Sequence, residues 1–360
     1  MGAKKILLFT DSLGAGGAQR QLVGLAIFLQ QAGYNVKVCT YYNFSFYKSI
    51  LDDNQILNEL IPNARSIKER ILNVYRYFRR ENPDWVIAYQ ETPSLVSCIV
   101  KLLGGKFRLI VSERNTTQHI GMNERIRFFL YRWADAIVPN SFTQSRFLLS
   151  HYPWMNPKIK TITNFVDVKI FCSEEHHRCK VPEILVVGSI GRSKNTKGFV
   201  EACKLLIDKK IKFHATWYGW HDQPTNYMKE TIDLIAQLDL KNIVEIKNKT
   251  LDIARVYKKA DYFCIPSFFE GTPNVLCEAI SSGLPVAASN VCDNNLYVQD
   301  EVNGYLFDPS NIESISKALE RLLSIGEHQY LTFRTNSRKI AVEKLSIESF
   351  VSKYCSILES

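Results

Sequence analysis

The chain has 360 residues, 46% hydrophobic and 22% charged, an ordinary composition for a soluble globular protein and a length beyond one typical domain, so two domains are expected. Lys and Arg outnumber Asp and Glu by 45 to 36, a net charge of +9, which permits attraction to phosphates of nucleic acid, lipid or nucleotide without choosing among them. Nine cysteines, odd in number and scattered with no C-x-x-C pair, speak against a disulfide framework and a zinc site and fit a reducing cytoplasm.

In chain order, Lys4 to Thr10 reads as a strand, residues 14–17 as a Gly-rich loop, Arg20 to Ala32 as a helix ended by Gly33, and Val36 to Tyr41 as the next strand. This unit opens a parallel, doubly wound sheet. The run Ile6 to Phe9 is too short for a signal peptide, and no stretch approaches the roughly 18 apolar residues of a spanning helix, so neither export nor a bilayer crossing is expected. Arg65 to Arg80 reads as a basic amphipathic helix, and Asn123 to Trp133 as another with Ile126, Phe129, Leu130 and Trp133 at helical spacing. Such helices suit an anionic membrane surface. Packing on the core with a solvated basic face remains the alternative. Strands at Trp85 to Ala88, Leu109 to Ser112 and Ala136 to Pro139 complete a first Rossmann-like domain.

Residues near 172 to 183, including the polar run Ser173 to Arg178, read as a linker, and the pair His176-His177 lacks acidic or cysteine neighbours at metal-ligand spacing. A second unit begins at Ile184 to Gly188, with a helix over Gly198 to Asp208 and strands near His214 to Tyr218, Val244 to Ile246, Tyr262 to Ile265 and Val286 to Ala288. Helices near 312 to 325 and after about 329 follow.

The most informative stretch runs from Phe268 to Ile280. Asp261 to Ser267 is a short buried strand, and Asn274 to Ser282 has helical apolar spacing ended by Gly283 and Pro285. Glu270 to Pro273 is therefore a strand-to-helix turn. The first amides of a helix lack internal partners and lie at the positive end of its dipole, so Gly271, Thr272, Pro273 and Asn274, continuing into Val275 and Leu276, suit phosphate oxygens. Asn274, Glu278 and Ser281 form a polar stripe, and Glu278 suits the paired hydroxyls of a ribose. Two glutamates alone are commonplace surface charges; their surroundings give them meaning.

Glu270 and Glu278 with seven residues between, followed by Gly283 to Ser289, resemble the retaining, nucleotide-sugar-dependent glycosyltransferases of the GT-B fold, family 4-like and of bacterial surface-polysaccharide type. Gly14 to Arg20, Asn140-Ser141, Asn164 to Asp167 and Asn303 to Phe307 extend the likeness over nearly the whole chain. The resemblance implies an α/β architecture of two Rossmann-like domains facing a cleft: 1–172 on the acceptor side, 173–328 binding the nucleotide sugar, and 329–360 returning to the first domain. It also implies transfer of a hexosyl or N-acetylhexosaminyl group, with a UDP-sugar as donor and retention at the anomeric carbon. The implied acceptor is a lipid-diphosphate-linked glycan of O-antigen or capsule synthesis at the cytoplasmic face of the inner membrane. No cofactor and no obligatory metal are implied, and the chain has no clear Asp-x-Asp motif.

The family holds its diphosphate with an Arg beside the strand-ending Gly and a Lys five positions later. Here Ser189 and Lys194 occupy those places, while Arg192 and Lys197 form a second pair with the same spacing. Lys194 is preferred because strand length fixes Gly188, with Arg192 reaching in from the loop. Gly16 and Gly17 resemble the glycine loop that approaches the diphosphate, and Asn248, with Lys247 and Lys249, falls where the base is gripped. Ser112-Glu113-Arg114 stands where many members carry a cleft-facing His, so that Arg114 or Glu113 takes its place or nothing does, and Leu296 stands at a usual Glu position. Glu270 is expected to orient donor-sugar hydroxyls, with Lys194, Arg192 and Arg114 as its catalytic companions. A sugar-nucleotide epimerase of similar architecture and an inactive nucleotide-sugar binder are the rival readings. A nucleic-acid-binding protein is disfavoured by the absence of zinc-finger spacings and ribonucleoprotein signatures.

Overall fold

The computed structural model describes residues 3–62, 64–174, 177–220, 224–250 and 252–360. Glu175 and His176 of the expected linker lie outside these. The chain forms two compact units, Met1–Thr163 with Glu348–Ser360, and Asn164–Ile347.

The first unit runs β1 (Lys5–Phe9), α1 (Gly17–Gln31), β2 (Asn35–Thr40), α2 (Lys48–Asp53), β3 (Leu57–Leu60), α3 (Ile67–Glu81), β4 (Trp85–Tyr89), α4 (Glu91–Leu102), β5 (Arg108–Glu113), α5 (Met122–Leu130), β6 (Ala136–Pro139) and α6 (Phe142–His151). Its strands are all parallel, in the order β3-β2-β1-β4-β5-β6. Every residue of β4 is buried, as a strand covered by helices on both faces requires. Local chemistry sets the helix ends. Ser66 and Ser141 accept the amides of Glu69 and Gln144, and Asn82 closes α3 in the left-handed conformation at φ 48°.

The second unit runs β7 (Glu183–Val187), α7 (Thr196–Asp208), β8 (His214–Trp220), α8 (Asn226–Gln237), β9 (Val244–Asn248), α9 (Ile253–Lys259), β10 (Tyr262–Ile265), α10 (Asn274–Ser281), β11 (Val286–Ser289), β12 (Gly304–Phe307), α11 (Ile312–Leu323) and α12 (Glu327–Lys344). Its parallel sheet has the order β12-β11-β10-β7-β8-β9, the same winding. In each unit the direction of winding reverses between the first and fourth strands, β1 with β4 and β7 with β10. Ligands of open α/β sheets bind beyond the carboxyl ends of such a pair.

Helix α13 (Ile347–Glu359) completes the first unit. The hydroxyls of Tyr354 and Tyr89 lie 3.1 Å apart, and Lys4 Nζ donates to the Leu358 carbonyl at 2.7 Å.

The boundaries differ from those expected at 172/173 and 328/329. Asn164 is bonded to Thr272 and Asn274, Phe171 packs edge-on against Tyr257, and Arg338 of α12 donates to the carbonyls of Phe171 and Ser281 at 2.8 and 2.7 Å. Residues 164–172 and α12 therefore belong to the second unit. Among the late helices, α13 alone joins the first.

Helix α5 divides the apolar stripe read from the sequence. Ile126 and Phe129 are exposed, with Met122 on the same face, whereas Leu130 is buried and Trp133 packs against the core. Arg127 is buried as well, so a cation shares the inner face.

Glu183 lines an open groove of about 770 Å³ with Thr216, Lys247 and Arg255. Thr216 Oγ1 donates to its carboxylate at 2.5 Å, yet burial raises its pKa above the usual 4.5. The folded state therefore holds the Glu183 proton more tightly than the unfolded chain does. Stability falls as pH rises from about 4.5 through the folded pKa, then stays level. Glu183→Gln is expected to raise the thermal midpoint by about a degree or two at pH 8, and not at pH 4, where the carboxyl is protonated in both states. Calorimetry at the two pH values checks this.

Candidate functional site

The loops after β7 and β10 meet at the reversal point of the second unit. The Phe268 amide donates to the Ser193 carbonyl at 2.9 Å. Lys194 Nζ lies 2.5 Å from Glu270 Oε1, with side chains 26% and 11% exposed, and Ser267 Oγ donates to the same oxygen at 2.6 Å. The Glu270 amide points at Cys292 Sγ, 3.4 Å away. An ammonium and a carboxylate are thus held side by side above the strand ends.

Packing explains why this loop bends as it does. Asn195 adopts the left-handed conformation at φ 54°, and its side-chain amide donates to the Pro309 carbonyl at 2.8 Å. At the end of β7, the Gly188 carbonyl accepts Trp217 Nε1 at 2.8 Å, and a Cβ at Gly219 would lie 1.8 Å from that oxygen. Glycine at 219 lets β8 pass the strand end that launches the Lys194 loop.

Below Glu270, the Pro273 carbonyl accepts the amides of Leu276 and Cys277, both at 3.1 Å. The Val275 amide precedes them and has no acceptor among the described residues. Asn164 Nδ2 donates to Thr272 O and Asn274 Oδ1, each at 2.7 Å, and the Tyr257 hydroxyl donates to Val275 O at 3.1 Å. The turn is therefore pinned from outside itself, with Gly271 beside Glu270 and the start of α10 available to an anion.

Other expected residues fall differently. Glu278 is 2% exposed one turn into α10, and Ser281, expected on the same polar stripe, donates to Phe171 O at 2.6 Å. Ser281 is thus taken up within the unit. Ser189 and Arg192 are exposed on the loop after β7, and Asn248 is exposed at the end of β9. Lys197 turns away, 2.7 Å from Glu230 on α8 and over the Tyr227 ring. Lys247 pairs with Glu245 at 2.9 Å. Asn164, Ser267 and Cys292 complete the arrangement without having been singled out as site residues. Asn164 lies within a recognisable Asn-Phe-Val-Asp run, but Ser267 and Cys292 carry no sequence signal.

In the first unit, Gly16 caps α1 in extended conformation and Gly17 opens the helix. A Cβ at Gly16 would lie 2.2 Å from Gln19 Oε1, so glycine there lets the Gln19 side chain fold back. Arg114 is 7% exposed, with its guanidinium 4.8 Å from the Tyr89 ring centroid and 3.4 Å from Ser112 Oγ. Glu113 is taken up by the interior. It accepts from the Tyr131 hydroxyl and from Gln144 Nε2, and lies 3.5 Å from Arg127. Burial outweighs that partner and holds its carboxyl above the usual range. Glu113 thus has a packing role, and of the two expected residues Arg114 is the one not paired with Arg127.

Two doubly wound units of this kind make the GT-B fold. The family description "Glycosyl transferases group 1" matches residues 172–340 and "Glycosyltransferase Family 4" matches residues 15–170. The chain belongs to the group 1 glycosyltransferases. It is 24% identical over 286 residues, 73% of each chain, to UDP-Gal:alpha-D-GlcNAc-diphosphoundecaprenol alpha-1,3-galactosyltransferase of Escherichia coli. It is 23% identical, over 98% of this chain and 99% of the other, to N-acetylgalactosamine-N,N'-diacetylbacillosaminyl-diphospho-undecaprenol 4-alpha-N-acetylgalactosaminyltransferase of Campylobacter jejuni. Anabaena HepE, solved in complex with UDP and glucose, has the same fold with a TM-score of 0.88 at 18% identity, over 99% of this chain and 100% of that one.

Proposed function

We propose that the protein transfers a hexose or N-acetylhexosamine from a UDP-sugar, with retention, to a hydroxyl of a lipid-diphosphate-linked glycan in surface-polysaccharide synthesis. The observation that carries this reading is the Lys194–Glu270 pair beside the start of α10, at the reversal point of the second sheet. As the bond between sugar and phosphate breaks, negative charge grows on the leaving diphosphate. Lys194, Arg192 and the amides at residues 272–275 offset it, and Gly271 allows the ligand to approach. Glu270 orients sugar hydroxyls, Glu278 takes the ribose, and Ser189 and Asn248 flank the nucleotide. Roles for Gly16 and Gly17 at the diphosphate, and for Arg114 in catalysis, rest on the family resemblance. The cations and helix start supply the charge, so no divalent ion is required. Attack on the same face accounts for retention without Glu270 as a nucleophile.

The acceptor class is supported by relatives whose names specify undecaprenol-diphosphate substrates. Contact with the cytoplasmic face of the membrane is supported by the exposed Met122, Ile126 and Phe129 with the neighbouring Arg125 and Arg132, and by exposed Ile67, Leu72, Lys68, Arg76 and Arg79 on α3. No helix among the described residues is long and apolar enough to cross a membrane.

Calorimetry with UDP, GDP, ADP and their sugar conjugates, with and without EDTA, tests the donor. Selective, chelator-insensitive binding of UDP is expected. Incubation of the bound UDP-sugar with GlcNAc-diphosphoundecaprenol and related lipid-linked glycans should then give an α-linked product from an α-linked donor. Rearrangement of the sugar nucleotide without acceptor would indicate an epimerase, and binding without turnover an inactive binder.

A further inference from the structure

Glu270 is held at two places. Lys194 and Ser267 meet its carboxylate at Oε1, whereas its backbone amide donates to Cys292 Sγ at 3.4 Å, on the loop after β11. That second contact falls midway along the turn. Phe268 N is anchored to Ser193 O, and Thr272 O to Asn164 Nδ2, two residues before Glu270 and two after it. The sulfur therefore steadies the middle of a span whose ends are already fixed.

Placing the sulfur there is unfavourable for the backbone. Cys292 has φ 51°, in the left-handed region that glycine, asparagine and aspartate tolerate best. The loop reads Asn290-Val291-Cys292-Asp293-Asn294-Asn295. Residues suited to that conformation lie on both sides, yet the cysteine adopts it. Nor can the loop relax around it. Asn290 N donates to Phe307 O at 2.7 Å, Asn294 N to Val291 O at 3.1 Å and Leu296 N to Asp293 O at 3.0 Å. Asn294 Nδ2 donates to Ser289 O at 3.0 Å, and both Asp293 and Asn294 are buried. Such strain persists where the surroundings over-determine it, and it gathers at functional sites. A thiol is a weak acceptor, so what it gives the Glu270 amide is direction more than energy.

We infer that Cys292 is a positioning residue: by holding the Glu270 amide, it sets the angle at which the Glu270 carboxylate meets the donor sugar. This rests on the role proposed above for Glu270, and Cys292 acts on the reaction only through that residue.

Two substitutions in the whole chain test it. Cys292→Gly removes the sulfur and suits the left-handed backbone, while Cys292→Ser keeps an acceptor. With a UDP-sugar and a lipid-linked acceptor, kcat is expected to fall about tenfold in the glycine variant, as for a misaimed orienting group, and to stay within about threefold in the serine variant. UDP affinity should be unchanged in both, and the thermal midpoint of the glycine variant should be no lower than that of the parent. In a Glu270→Gln background, Cys292→Gly should cost nothing further, since residues that act through one another are not additive. Full activity of the glycine variant, a serine variant as slow as the glycine one, an additive loss in the double variant, or a midpoint that falls along with the rate would overturn the inference. Should the parent transfer no sugar, the proposed function fails, and hydrogen exchange of the Glu270 amide still decides the contact. Exchange about tenfold or more faster in the glycine variant than in the parent and the serine variant is expected; equal exchange would overturn the inference by itself.

Discussion

Replacing Lys194 with alanine is expected to lower turnover by about 100- to 1000-fold, the cost of removing one preorganised group that stabilises charge in a transition state. The affinity for the nucleotide sugar should change much less, because in the proposed reaction the ammonium faces charge that grows as the bond breaks. Steady-state rates on a lipid-linked acceptor, with calorimetry for the donor, separate the two quantities. Lys197→Ala supplies the comparison. Its ammonium is 2.7 Å from Glu230, a pair with side chains 34% and 55% exposed, so its loss should alter the rate by no more than about twofold. Equal effects of the two changes would reduce the Lys194–Glu270 pair to an ordinary ion pair of the loop.

Gly219→Ala should show the second large effect, without touching a charged group. The added methyl would lie 1.8 Å from the Gly188 carbonyl oxygen and 2.8 Å from its carbon. Neither is the movable end of a side chain. The strand end must shift, and with it the segment that carries Lys194. Overpacking of this kind costs about 1–3 kcal/mol or more, a fall of roughly 2–10 °C in the midpoint of a unit this size, accompanied by weaker donor binding. Gly191→Ala in the same loop should do neither, since Gly191 is in extended conformation with nothing within 4 Å of the position of its Cβ. Scanning calorimetry and donor titration of the two variants read the difference.

The winding of both sheets was legible in the sequence because buried parallel strands such as Trp-Val-Ile-Ala-Tyr are continuous apolar runs punctuated by helices. Strand β3 was not: Leu57-Asn58-Glu59-Leu60 lies at a sheet edge and has no run to read. Strand β12, also at an edge, was visible as part of the family likeness and not as a strand. Helix α5 was legible only in part, because periodicity reports that a face is apolar but not how much of it turns inward: Leu130 does and Ile126 does not. Arg127 is drawn inward by Glu113 and by Glu91, the latter 2.9 Å away.

At the candidate site, the spacing of Glu270 and Glu278 was open to local reading, while the choice of Lys194 came from the family likeness together with the length of the strand before it. The exclusion of Lys197 needed knowledge of Glu230 on α8, which spacing cannot supply. The anchoring of the 272–274 turn by Asn164 involves residues more than a hundred positions apart, a contact invisible to any local rule. The strain at Cys292 leaves no mark either, since sequence signals for positive φ are glycine and asparagine, and cysteine is neither.

The docking of α13 bears on how the chain is made. Its first unit begins with β1, yet the Tyr354 hydroxyl beside Tyr89 and the Leu358 carbonyl that receives Lys4 lie beyond the whole second unit in chain order. During synthesis at about 5–20 residues per second, the first sheet must wait on the order of ten seconds or more for its final helix. Over that interval most of the second unit is made. A chain cut between α12 and α13 would keep the elements of the second unit and leave the first without the helix that completes it.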